Sequence, residues 1–190
     1  MRHVSRDEVE QALHAVGMQM GAWNRVVDPE RQQGKNDNIA SFYSVEMTTL
    51  AQDMHQLAAY AAAWLPAGRW KLLHLIHGCA SENERFLLGR MLGISFLDLN
   101  IPESFIFDYG HSTDIDHEND LGIINIIFFL MLFENHAFLV SSGSEDGEII
   151  SIEDGVVAFK SRKSDISGAK KLLDKYHEEV KIEHAKRGIP

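Results

Sequence analysis

Residues 136–160, HAFLVSSGSEDGEIISIEDGVVAFK, decide the fold. The stretch contains three β-prone runs, 136–141, 148–152 and 156–160, separated by the acidic turns 144–147 and 153–155. Asp-Gly between β-prone runs favours a tight hairpin, because glycine adopts the positive φ that such turns require. The sequence therefore predicts an antiparallel β-meander.

Three apolar segments lie upstream of the meander. WKLLHLI at 70–76 is bounded by glycines and predicts a buried strand, in which His74 has a structural role. SFIFDY at 104–109 alternates aromatic residues on one side and predicts a second strand. The run 121–133 exceeds the typical strand length of about 5–6 residues. It falls short of the ~18–20 residues that cross a bilayer, so we expect a buried helix and no membrane span.

Helical patterns flank these segments. Ser5 and Glu8 form a capping-box sequence, followed by apolar residues at helical spacing. Similar patterns predict helices at 44–65, at 81–92 and from 165 onward. The predicted fold is therefore α+β: one domain over residues 1–190, with N-terminal helices packed on a small antiparallel sheet and a helix at the C-terminus.

The composition is that of an ordinary globular domain. Of 190 residues, 45% are hydrophobic and 24% are charged, which excludes a disordered tail and a collagen-like fibre. Cys79 is the only cysteine, so no internal disulfide forms and nothing requires an oxidising compartment. The first residues lack the apolar stretch of a signal peptide. We expect a cytoplasmic protein.

Charge is the most informative feature of the sequence. The net charge is −10, and residues 91–159 hold thirteen Asp/Glu and no Lys or Arg. By contrast, residues 1–90 sum to −1 and residues 160–190 to +4. Such asymmetry is typical of a surface that meets a partner of opposite charge. It disfavours nucleic acid and anionic membranes as partners, because both are bound through Lys and Arg. Acidic turns are also common on solvated surfaces, and this reading stays open.

The segment 111–120, HSTDIDHEND, combines imidazoles and carboxylates of the kinds that bind metals. One interpretation is a metal-dependent hydrolase that uses His111, Asp114, Asp116 and His117. The segment does not match the EF-hand spacing, and a solvated or partner-facing loop is the other interpretation. Motifs for nucleophilic, phosphate-binding or dinucleotide-binding sites are missing from the sequence. We therefore predict a protein that is not an enzyme and needs no cofactor or metal.

Part of the sequence resembles a known group of proteins. The resemblance is carried by LFENHAFLVSS at 132–142, SIEDGVVAF at 151–159, ISGA at 166–169 and LPAGRWKLL at 65–73. These stretches, 33 of the 190 residues, look like bacterial immunity proteins of polymorphic toxin systems, in particular those of contact-dependent growth inhibition. The resemblance implies a cytoplasmic protein that binds a cognate toxin domain, often a nuclease with a basic surface, and blocks it.

The charge pattern and the resemblance together predict a partner-binding surface. Its predicted residues are Glu103, Asp108, Tyr109, Asp114, Asp116, Glu118, Asp120, Glu145, Asp146, Glu153 and Asp154. Acidic side chains would steer a basic toxin, and Tyr109 would add an aromatic contact, whereas Phe105 and Phe107 are expected in the core. The remaining alternative is an acidic adaptor that binds some other basic protein.

Overall fold

The computed structural model describes residues 2–21, 26–27, 41–48, 50–77, 82–92, 103–108, 117–133, 135–153, 155–162 and 166–189. In it the predicted meander is formed by strands β7 (His136–Ser141), β8 (Ile149–Glu153) and β9 (Val156–Ser161), paired antiparallel in that order. Gly155 has a φ of +77° in the turn between β8 and β9, as the hairpin prediction requires.

The meander belongs to a larger sheet than the sequence indicated. Four further strands join it: β1 (Arg2–His3), β4 (Ser41–Glu46), β5 (Trp70–His77) and β6 (Glu103–Asp108). The resulting open sheet has seven strands in the order β1-β6-β5-β7-β8-β9-β4, and every described pairing is antiparallel. A separate two-stranded pair consists of β2 (Gln19–Met20) and β3 (Val26–Val27). The α+β class with an antiparallel sheet is confirmed, and the sheet has more strands than the small sheet that was predicted.

Five helices pack around this sheet: α1 (Arg6–Ala15), α2 (Ala51–Trp64), α3 (Glu82–Met91), α4 (His117–Leu132) and α5 (Ser167–Arg187). The capping box is present, since the Ser5 backbone N–H donates to Glu8 Oε2 at 2.9 Å and the Glu8 N–H donates to Ser5 Oγ at 3.4 Å. None of these helices, within the described residues, is both long and apolar enough to span a bilayer.

The helix predicted over 44–65 is wrong at its beginning. Strand β4 occupies that part of the chain and pairs with β9 over its full length. Val45 is buried and Tyr43 packs against the core, whereas Ser44 and Glu46 are exposed. This alternation has the period of a strand. Pairing with a distant strand therefore overrides the helical pattern that continues into α2.

The central strands are buried on both faces. In β7, Ala137 and Leu139 face a core that is covered by α2, α4 and α5. Phe138 and Val140 face a second core, which is covered by α1. The expected core position of Phe105 is confirmed: it is fully buried in the first core, and Phe107 packs against that core. Burial on both sides explains why β7 is an almost continuous apolar run rather than an alternating one.

His74 lies in the second core, as its predicted structural role requires. Its Nδ1 is 2.6 Å from the Ser104 hydroxyl on the adjacent strand, and its ring packs against Phe138 at 4.9 Å. Burial, with a smaller contribution from the positive charge of Arg6, lowers the pKa of His74 to about 4. His74 is therefore neutral in the folded protein at neutral pH.

This buried histidine predicts a loss of stability in mild acid. The unfolded chain binds a proton at His74 near pH 6.5 and the folded chain only near pH 4, so the free energy of unfolding falls as pH drops through that window. The loss should reach ~2–4 kcal/mol from this group alone. Urea unfolding at a series of pH values should show that H74N lacks this part of the pH dependence. Parallel pH curves for the two proteins would contradict the assignment.

Candidate partner-binding surface

Two of the predicted acidic segments meet at one end of the sheet. Asp108 is the last residue of β6 and pairs with Trp70, the first residue of β5. On the other side of β5, strand β7 ends at Ser141 and continues into the loop 142–148. Two strand spacings, about 10 Å, separate these chain ends laterally. We call this region the acidic end: Asp108 and the loop 142–148, which carries Glu145 and Asp146.

The loop 142–148 is held by its own hydrogen bonds. The Ser144 N–H donates to the Ser141 carbonyl at 3.0 Å, and the Gly147 N–H donates to the Ser144 carbonyl at 2.9 Å. The Ser144 hydroxyl accepts from the Ser141 N–H at 3.2 Å. Both serines are fully buried. These bonds hold the loop in a defined turn, and Glu145 is exposed on its outside.

A second loop, 66–69, supports the first at very short range. The Ser142 N–H donates to the Trp70 carbonyl at 2.9 Å, and the Ser142 hydroxyl accepts from the Trp70 N–H at 3.2 Å. A Cβ at Gly143 would overlap the Ala67 carbonyl oxygen, and a Cβ at Gly68 would lie 2.5 Å from the Ser141 Oγ. Only glycine at both positions allows the two backbones to approach so closely.

Arg162 fixes the loop from the opposite side. Its backbone N–H donates to the Asp146 carbonyl at 2.9 Å, and its guanidinium Nη2 donates to the Glu145 carbonyl at 3.3 Å. The same guanidinium lies against Gly17, in the turn that follows α1. Arg162 therefore donates to two carbonyls of the acidic loop and also packs against the turn that follows α1.

Glu153 and Glu103 do not belong to the acidic end. Glu153 is the last residue of β8, at the opposite end of the sheet, and Glu103 is the first residue of β6, also at that end. The Glu153 carboxylate accepts from the Ser151 hydroxyl and lies 3.4 Å from the Lys160 ammonium. Its side chain is only about a quarter exposed. Glu153 is thus neutralised within the sheet rather than presented to a partner.

Helix α4 brings two further predicted residues toward the acidic end. Its last turn leads into β7 at the opposite end of the sheet, and the Phe128 ring packs against His55 near the beginning of α2. Its first turn, which contains Glu118 and Asp120, therefore lies toward the acidic end by backbone position.

The other predicted residues lie outside the described part of the chain. These are Tyr109, Asp114, Asp116 and Asp154. His111 lies there as well, so the metal interpretation of 111–120 stays a prediction. Among the residues that are described, no group of three or more His, Cys, Asp or Glu is placed to hold a metal ion.

Sequence reasoning missed the residues that hold the acidic loop in place: Gly68, Gly143 and Arg162. A signal for each was present. PAG at 66–68 is a small-residue turn within one of the stretches that carry the family resemblance, SSG at 141–143 is another at the end of a second stretch, and Arg162 is the first arginine after the basic-free segment. What the sequence did not reveal is that the two turns contact each other.

The close approach of the two loops predicts that alanine substitutions at Gly143 and Gly122 have opposite effects on the stability of the protein. G143A should lower the free energy of unfolding by ~1–3 kcal/mol, because its new methyl group collides with the backbone at Ala67. G122A is the control: a Cβ there meets nothing within 4 Å, and alanine in a helix should raise stability by ~0.5–1 kcal/mol. Chemical denaturation of both variants measures the difference, and equal stabilities would contradict the packing.

Comparison with protein-family models, with curated proteins and with solved structures finds no match to this chain.

Proposed function

We propose that this protein is an immunity-type inhibitor that binds a basic toxin domain, most simply a nuclease, through its acidic end. The observation that carries the proposal is the hydrogen-bonded loop 142–148, which exposes Glu145 at the same end of the sheet as Asp108, within a segment of thirteen acids and no Lys or Arg. The resemblance in the sequence supports the same function. In this proposal the protein acts in the cytoplasm, by binding the toxin domain and not by catalysis.

Electrostatics supports a basic partner. The binding surface of a nuclease is positive because it neutralises phosphates, and an acidic protein surface competes for the same charges. Complementary charge raises the association rate more than it raises affinity, and the effect weakens with salt.

The rigidity of the loop 142–148 supports tight binding of a partner. A mobile loop loses conformational entropy when a partner immobilises it, which reduces affinity. Here the loop is fixed before binding by Ser144, by the glycine contact with 66–69 and by Arg162. The carboxylate of Glu145 is thus presented from a preorganised backbone, as in binding surfaces of high specificity.

The positions of the acids narrow the proposed contact surface. Asp108, Glu145 and Asp146 form its described part, and Glu118 and Asp120 are included because the first turn of α4 lies toward this end of the sheet. Tyr109, which follows β6 in the sequence, and Asp114 and Asp116, which precede α4, remain proposed contacts. Glu103 and Glu153, at the far end of the sheet, are left out.

Charge reversal at the acidic end should weaken toxin inhibition. The partner to use is the C-terminal domain encoded by the reading frame immediately upstream of this gene. For D108K/E145K, the association rate should fall about 10- to 100-fold at ~0.15 M salt. The difference from the unmodified protein should shrink at ~1 M salt, where the screening length is about 3 Å. Stopped-flow association kinetics and rescue of growth measure both effects.

The matched control is D174K/E178K, which changes the net charge equally on the exposed side of α5. Both variants are first checked by thermal unfolding. If the two double variants associate at the same rate, net charge alone is responsible and the acidic end is not the contact. If the unmodified protein forms no complex with the neighbouring toxin domain, the proposed function is wrong.

A further inference from the structure

The outer edge of β4 is open in the described structure. Strand β4 is the last of the seven, and β9 is its neighbour on the inner side. No described strand pairs with its outer side. Edge strands are templates for the addition of another strand, and proteins that avoid this carry proline, charged side chains (lysine above all) or a bulge there. The sequence of β4, SFYSVE, has no proline or lysine and one charged residue, Glu46 at its end, and its pairing with β9 runs without a register shift.

The hydrogen-bond pattern shows which residues of β4 are available. The Met47 N–H donates to the Gly155 carbonyl at 2.7 Å, and these residues continue the register in which Glu46 opposes Val156. In an antiparallel ladder, every second residue bonds to the same neighbour. Tyr43 and Val45 therefore bond to β9. The residues at 42, 44 and 46 direct their backbone N–H and C=O groups outward.

We propose that a second copy of this chain adds to the open edge, with the two β4 strands antiparallel about a two-fold axis at Ser44. This is the register in which all three outward-facing residues of each strand form hydrogen bonds, since Ser44 opposes Ser44 and Phe42 opposes Glu46. In a two-fold interface, each copy uses the same surface patch to contact the other copy. Two identical β4 edges meet this requirement. The two sheets then form one continuous sheet.

The side chains and charges of β4 are compatible with a second copy of the chain as its partner. On the core side, Tyr43 of one copy opposes Val45 of the other, an aromatic and β-branched pair that stabilises antiparallel strands. No like charges oppose each other directly, because Glu46 lies opposite Phe42. Because the strongly acidic strands β6, β7 and β8 are more distant in the sheet, pairing at this edge does not bring their acids in the two copies together.

The first test is sedimentation equilibrium of the full chain over a ~100-fold range of concentration. The unmodified protein should shift from monomer to dimer. S44P removes an outward N–H and blocks the incoming strand without touching a bond to β9, so it should remain monomeric. S44A keeps the N–H and should dimerise normally. A monomer at every concentration, or a dimer that S44P leaves intact, would overturn the proposal.

A second measurement does not depend on the proline variant. In a C79S background, a nitroxide at S44C should show strong dipolar broadening when the protein is dimeric, because the two Ser44 Cα atoms are about 5.5 Å apart in this register. A nitroxide at N83C, on α3, is the matched control and should show none. A dimer without broadening at position 44 would place the interface elsewhere and overturn the proposal.

Discussion

The fold depends on strands that must be covered on both faces. The middle strands β5, β7 and β8 carry large apolar side chains on each side, so no single layer of helices can bury them. Helices α2, α4 and α5 cover one face and α1 covers the other. Each fully buried Leu or Ile side chain contributes roughly 1.5–3 kcal/mol relative to exposure. Short α1 is therefore as necessary to the sheet as the larger layer opposite, and its capping box stabilises the element that closes the second core.

Local patterns predicted most of the elements, whereas long-range pairing decided the rest. The meander, β5, β6, α1 and the buried helix α4 followed from turn chemistry, periodicity and length. Strand β4 was mistaken for helix because its partner β9 lies 110 residues further along the chain, where no local pattern points to it. The two-residue strand β1 has too few residues to produce a pattern at all. For the same reason the sheet is larger than its meander suggested.

The sequence predicted that the candidate surface is acidic, but it did not predict which of the acidic residues lie on it. Two turns share the sequence Glu-Asp-Gly, at 145–147 and 153–155, and the sequence gives them equal weight. The structure separates them. Glu145 is exposed on a braced loop, whereas the Glu153 carboxylate lies 3.4 Å from the Lys160 ammonium on the adjacent strand and is partly buried. The register pairs Glu153 with Val156 and Lys160 with Ile149, so this ion pair runs diagonally between the two strands and no local sequence pattern indicates it.

The order of strands in the sheet has a consequence for synthesis. Strand β1 pairs with β6, which is synthesised about a hundred residues later, and β4 cannot pair until β9 has been synthesised. Contacts of such high sequence separation slow folding, because loop closure precedes the stabilising contacts. On the ribosome, the first half of this chain therefore has few places to bury its apolar residues, and both edges of β4 stay open until the meander emerges. The protein is thus expected to fold late and as a unit, with its N-terminal half dependent on chaperones while it is being made.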